Sequence, residues 1–176
     1  KRKMTQEEQR AMEIFDETTT FKDGRYHVRL PFRDENPKIS NNYHIAKKQL
    51  EYTEKRLKKD QSKLERYDKA IMEYHELGVA KELSGSEAEQ MIREEGAYFV
   101  AHHPVIKDSS ISTKMRIVFN ASGADRNGVS LNDTLLTGPP LQPDIGQVLL
   151  RFRSHRFVVC GDIQQMFCTT GIIEEN

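Results

Sequence analysis

Leu50, Leu57, Leu64 and Ile71 stand seven residues apart, and Tyr67 and Tyr74 lie three beyond two of them. They draw one apolar stripe along an otherwise charged stretch, so residues 41–78 must be helix with a single buried side. Asp60-Gln61-Ser62 interrupts the stretch. The pattern predicts a charged pair of helices, about 41–59 and 62–77, stopped by Gly78. The second seam is poor (Ala46, Thr53, Asp60), which argues against a long coiled coil. On pattern alone, a helical hairpin that serves only packing accounts for this segment as well as a functional reading does.

The texture differs on either side. Upstream, Thr5 with Glu8 forms a capping-box signature for a helix over residues 5–17. A turn at Lys22-Asp23-Gly24 leads into Arg25-Tyr26-His27-Val28-Arg29-Leu30, which alternates with period two until Pro31. Residues 81–96 are acidic and rich in small residues, and read as a loop or mobile connection. From Ala97, Tyr98-Phe99-Val100 and Pro104-Val105-Ile106 are strand-like, and Met115-Arg116-Ile117-Val118-Phe119 makes a second strand, together a hairpin. Residues 122–128 are loop, Leu131, Leu135 and Leu136 make a helical turn, and Pro143 opens a helix that runs to about Ser154. Phe157-Val158-Val159-Cys160 reads as a buried strand ending at Asp162.

Charge refines this division. The chain carries 27 basic and 27 acidic residues, yet residues 97–161 hold seven basic and four acidic side chains, while residues 162–176 hold three acidic and no basic ones. No apolar run reaches 18 residues, so no transmembrane helix is expected, and no cleavable leader opens the chain. Two cysteines, Cys160 and Cys168, do not make a disulfide scaffold, which points to a reducing, intracellular setting.

Several side chains could carry chemistry. Asp162 closes an apolar strand, where a carboxylate is costly unless it is paired, caps a helix or binds a metal. A helix N-cap and a metal ligand both fit it. Lys114 and Arg116 are two apart on one strand and leave the same face, with Lys107 across the turn. They suit phosphate contact or form an ordinary solvated face. His102-His103 with the two cysteines is a poor zinc set, because adjacent histidines on a strand point opposite ways. No Walker loop, GxGxxG, HExxH or GxSxG motif is present.

Taken in order, these pieces resemble the reverse transcriptases of BEL/Pao-type long-terminal-repeat retrotransposons. Residues Tyr98 to Lys107 resemble that family's YxxxHHPVIK stretch, and Thr113 to Ser122 its TKxRVVFDAS stretch. Ser130-Leu131-Asn132-Asp133, Leu136-Thr137-Gly138-Pro139 and Leu149-Leu150-Arg151-Phe152-Arg153 follow in the family's order. Gly161-Asp162-Ile163-Gln164-Gln165-Met166-Phe167 is similar to ADIEKMF, the first catalytic palm motif. Gly24 to Pro31 and the charged helical pair fit the entry region, so the resemblance covers nearly the whole chain.

The resemblance implies an α+β chain, an incomplete right-hand polymerase: an approach segment (residues 1–40), the helical pair with its acidic connector (41–96), a fingers-like hairpin, loop and helix (97–155), and the start of the palm (156–176). It implies an RNA-directed DNA polymerase, a nucleotidyltransferase working on template-primer RNA or DNA and dNTP. Asp162 would be the first metal-binding aspartate, holding Mg²⁺ together with the Ile163 carbonyl. Lys114 and Arg116, assisted by Lys107, would hold the triphosphate, Gln165 would lie near it, and Phe167 would crowd the sugar 2′-position. His102-His103 would only pack.

Three departures stand out. Asn120 replaces the family's Asp, Gln164-Gln165 replaces a charged pair, and the aromatic-x-Asp-Asp palm motif with its two carboxylates is absent, so this chain is expected to hold Mg²⁺ weakly or not at all and not to polymerise by itself. The alternatives are a non-catalytic retroelement remnant that binds nucleic acid or protein, and a plain helical interaction protein built on residues 41–78. The last leaves residues 97–167 unexplained.

Overall fold

The computed structural model describes residues 2–107, 109, 115–161, 166 and 170–173. In chain order these form α1 (Gln6–Thr18), β1 (Thr20–Lys22), β2 (Arg25–Val28), α2 (Tyr43–Leu57), α3 (Gln61–Glu76), α4 (Gly85–Arg93), β3 (His102–Ile106), β4 (Met115–Phe119), α5 (Leu131–Thr134), α6 (Ile145–Arg153) and β5 (Thr170–Ile172). Two compact units result, Lys1–Pro31 with Leu136–Asn176, and Phe32–Leu135. No helix among the described residues is long and apolar enough to cross a membrane.

In the first unit, α1 starts where its capping box places it. The Glu8 amide donates to Thr5 Oγ1 at 3.2 Å, and the Glu8 carboxylate accepts from the Thr5 amide at 2.8 Å. That backbone N–H, together with the Arg2 guanidinium, holds the Glu8 carboxyl below its ordinary range. β1 and β2 form an antiparallel hairpin with Phe21 opposite Tyr26. Its two-residue loop, Asp23-Gly24, takes φ of 53° and 75°, the left-handed pair that matches strand twist. β5 adds to β2 in parallel, with Gly171 opposite His27. A Cβ at Gly171 would stand 2.5 Å from His27 Nδ1, so glycine there leaves room for the imidazole that lies across the pair.

In the second unit, Asp60 Oδ1 accepts from the Lys63 amide at 3.2 Å and starts α3, so the expected break is a helix cap. α3 ends before Gly78, whose φ is 63°. Leu57, Tyr67 and Ile117 make the buried centre, with Leu64, Ala70, Ile71, Tyr74 and Met115 packed around it. Most of the seven-residue stripe therefore does converge, and it meets β4 rather than a second helical seam. Ala46 and Thr53, from the seam that reads as poor, are buried as well. Small side chains there let α2 lie against β3.

Four expectations need correction. Residues 81–96 are more than a connector, since α4 forms there with its own capping box, the Ser84 amide donating to Glu87 Oε2 at 2.8 Å. Tyr98-Phe99-Val100 is not strand. The Asn42 side chain, 4% exposed, does the work of a neighbouring strand, its Oδ1 accepting from the Phe99 amide at 2.6 Å and its Nδ2 donating to the Phe99 carbonyl at 2.9 Å. Pro143 precedes α6 rather than opening it, because Asp144 is the cap and accepts from the Gly146 amide at 2.8 Å. The buried strand over residues 156–161 does not form, and Phe157 and Val159 are 82% and 95% exposed. A strand needs a neighbour for its N–H and C=O groups, and no described strand pairs with this run.

Candidate functional site

β3 and β4 pair antiparallel, with His103 opposite Val118, Pro104 opposite Ile117, Val105 opposite Arg116 and Ile106 opposite Met115. Cross-strand partners share a face, and alternate residues switch faces. Ile117 and Met115 thus belong to the core side against α3. Arg116, Val105, His103 and Val118 belong to the other side, where Val105, Arg116 and Val118 are exposed. Lys107, two residues beyond Val105, is exposed as well. Neither Arg116 nor Lys107 makes an ion pair among the described residues, so both are available to an anion. Lys114, Asp162, Ile163, Gln165 and Phe167 lie outside the described residues.

His102 and His103 do point opposite ways. The Tyr67 hydroxyl is 2.5 Å from His102 Nδ1, and His102 also stacks edge-on with Phe119 at 5.9 Å between centroids. Burial lowers the His102 pKa from its ordinary 6.5, with Glu54 pulling the other way, and burial pushes the Tyr67 hydroxyl up to about 12. Both groups are therefore neutral near pH 7, consistent with a packing role for His102. Among the described residues, no group of three or more His, Cys, Asp or Glu side chains could hold a metal. Cys160 is a free, exposed thiol, and Cys168 lies outside the described residues.

Asn120 continues from β4, its amide donating to the Ala101 carbonyl at 2.8 Å and its Nδ2 to Gln49 Oε1 at 3.3 Å. The position where the family pattern has an aspartate here makes a neutral amide pair with α2. The loop that follows is held by Asp125, whose carboxylate accepts from the amides of Ser40 at 2.8 Å, Asn127 at 2.8 Å and Val129 at 3.0 Å. Burial alone would raise its pKa, but these backbone donors outweigh it and hold the carboxyl below its ordinary value. Ser130 and Asp133 cap α5 reciprocally.

One feature of this unit is not singled out by the motifs. A cleft of about 400 Å³ opens between α2 and β3, lined by Lys48, Gln49, Tyr52, Arg56, His102 and His103. Lys48, Tyr52 and Arg56 are spaced by four, which puts them along one side of α2. That spacing is visible in the sequence. The histidines that complete the cleft come from some fifty residues away and arrive only through packing.

No family model, curated protein or solved structure matches the chain.

Proposed function

We propose that the chain is the fingers and the first part of the palm of an RNA-directed DNA polymerase encoded by a retrotransposon of the BEL/Pao kind. The observation that supports this most is the hairpin. One side of it is fixed to α3 by Ile117 and Met115, and the opposite side presents Arg116 and Lys107 to solvent with no acidic partner among the described residues. Arginine on a braced strand gives a bidentate phosphate contact of set direction, and lysine adds a point charge. These are the positions that the ordered motifs assign to the incoming triphosphate. In this reading Lys114 joins them, Gln165 lies near the triphosphate and Phe167 limits the sugar to deoxyribose. Mg²⁺ belongs at Asp162 and the Ile163 carbonyl on the strength of the sequence motif, and when bound it supplies charge stabilisation for phosphoryl transfer.

Equilibrium binding of a fluorescent dNTP with Mg²⁺ tests the reading. Arg116→Ala combined with Lys114→Ala is expected to weaken binding at least tenfold, as loss of two charge-assisted contacts implies. Unchanged binding would overturn the assignment of the hairpin. The coding sequence gives an independent check, since an aromatic-x-Asp-Asp codon run is expected some tens of codons after Asn176. A transcript that stops in frame directly after Asn176 would favour the non-catalytic remnant instead.

A further inference from the structure

We propose that Asn127 is a site of spontaneous covalent modification: its side-chain amide deamidates through a cyclic imide formed with Gly128, and a hydrogen bond to Ser40 holds the reaction in check. This goes beyond the polymerase reading and does not depend on it. Of the seven asparagines in the chain, Asn127 alone is followed by glycine. The reaction begins when the main-chain nitrogen of the following residue attacks the asparagine Cγ. A glycine there has no Cβ to crowd that nitrogen or to restrict its approach. Gly128 lies in open space, with no atom beyond its chain neighbours within 4 Å of where a Cβ would stand. Asn127 is exposed, so water reaches the pair.

The step balances with water as the only co-reactant. The Gly128 nitrogen loses its proton and bonds to Asn127 Cγ, the Cγ–Nδ2 bond breaks, and ammonia leaves with a proton gained. Water then opens the imide at either carbonyl. One opening gives aspartate. The other gives isoaspartate, in which the main chain runs through Cβ and is one atom longer.

The fold restrains both reacting groups. The Gly128 amide, the nucleophile, donates to the Asp125 carbonyl at 3.1 Å. The Asn127 carboxamide, the electrophile, is fixed by its Nδ2 donating to Ser40 Oγ at 2.7 Å. Ser40 stands 87 residues earlier in the chain and is itself held, its amide donating to Asp125 Oδ2 at 2.8 Å. The unfolded chain has none of these bonds. In the folded chain, ring closure waits until the Ser40 and Asp125 bonds open. The Ser40–Asn127 bond lies at the surface, where one hydrogen bond contributes little, so it slows the reaction rather than abolishing it. The isoaspartyl product strains the loop, because the amides of Gly128 and Val129 both reach Asp125, the latter at 3.0 Å, and an added main-chain atom just before them displaces them. Asn42 is an internal control, since it is 4% exposed and both ends of its amide are bonded to Phe99.

The test incubates the full chain in mildly alkaline buffer and follows each asparagine by peptide mass spectrometry, with aspartate and isoaspartate separated by chromatography. Asn127 is expected to convert while Asn42 does not. Ser40→Ala should speed conversion about two- to tenfold, the range that loss of one hydrogen bond implies. Ser40→Thr keeps the hydroxyl and should match the native chain, and the urea-unfolded chain should be fastest. If Ser40→Ala melts early, Ser40→Cys replaces it, since a thiol keeps the volume and accepts only weakly. The purified isoaspartyl chain should melt below the native one. An unconverted Asn127 in the native chain, over a period in which the unfolded chain converts, overturns the site. Equal rates in the native chain and the Ser40 variants overturn Ser40 as its restraint, and an isoaspartyl chain that melts with the native one overturns the strain on the loop.

Discussion

The two units treat apolar sequence in opposite ways. In the Phe32–Leu135 unit, Leu57 is 3% exposed, because two helices and a hairpin close around it. In the other unit, α6 carries Ile145, Leu149, Leu150 and Phe152, and the segment after it carries Phe157 and Val159, all exposed. The residue types are much the same. The difference is that the first set has neighbouring elements whose backbone groups are already satisfied, and the second has no described strand or helix laid over it. Apolar character supplies the drive for burial, but burial needs a partner surface of matching shape and satisfied polarity.

The largest effect should come from breaking the closed unit at its centre. Leu57→Ala is expected to cost about 2–5 kcal/mol in urea unfolding, through lost transfer energy and a cavity beside Tyr67 and Ile117. A loss below 1 kcal/mol would mean that this centre is loosely packed. Next comes the loop below the hairpin. Asp125→Ala leaves the amides of Ser40, Asn127 and Val129 without their acceptor, and should cost about 1–3 kcal/mol. Because the folded Asp125 pKa is depressed, its contribution is complete at neutral pH and fades as pH falls below its ordinary 3.8.

A subtler effect should appear at mildly acidic pH. The folded His102 pKa also lies below its ordinary value, so the unfolded chain takes up the proton first. Stability contributed by neutral His102 is therefore present above pH 6.5 and is lost as pH falls from there toward the folded pKa. Thermal melts of His102→Gln should show a flatter pH dependence across that window than the native chain, and an identical dependence would remove His102 as its source. The smallest effect sharpens the contrast from the open side. Val159→Ser should change stability by no more than about 0.5 kcal/mol, since it alters an exposed side chain.

Much of the hairpin site is legible in the sequence. Period-two alternation through Arg116 and Ile117 already sends one cation out and one aliphatic in, and the register Val105 to Arg116 adds only which residue lies opposite. The cleft is not legible in the same way. Lys48, Tyr52 and Arg56 declare a helix side, but nothing local says that the His102-His103 stretch of β3 will border it.

By itself, the sequence determined what depends on near neighbours. Thr5 with Glu8, Asp60 ahead of Lys63 and Asp23-Gly24 set where helices start and where the chain reverses, because caps and two-residue turns close within three or four residues. Only the tertiary structure decided who pairs with whom. Residues 98–100 and 157–160 have equally strand-like composition, yet the first is satisfied by the Asn42 side chain and the second joins no ladder. β2 instead receives Thr170–Ile172, more than 140 residues later in the chain. A strand is completed by donors and acceptors on another segment, and which segment arrives is settled by packing, which no local pattern encodes.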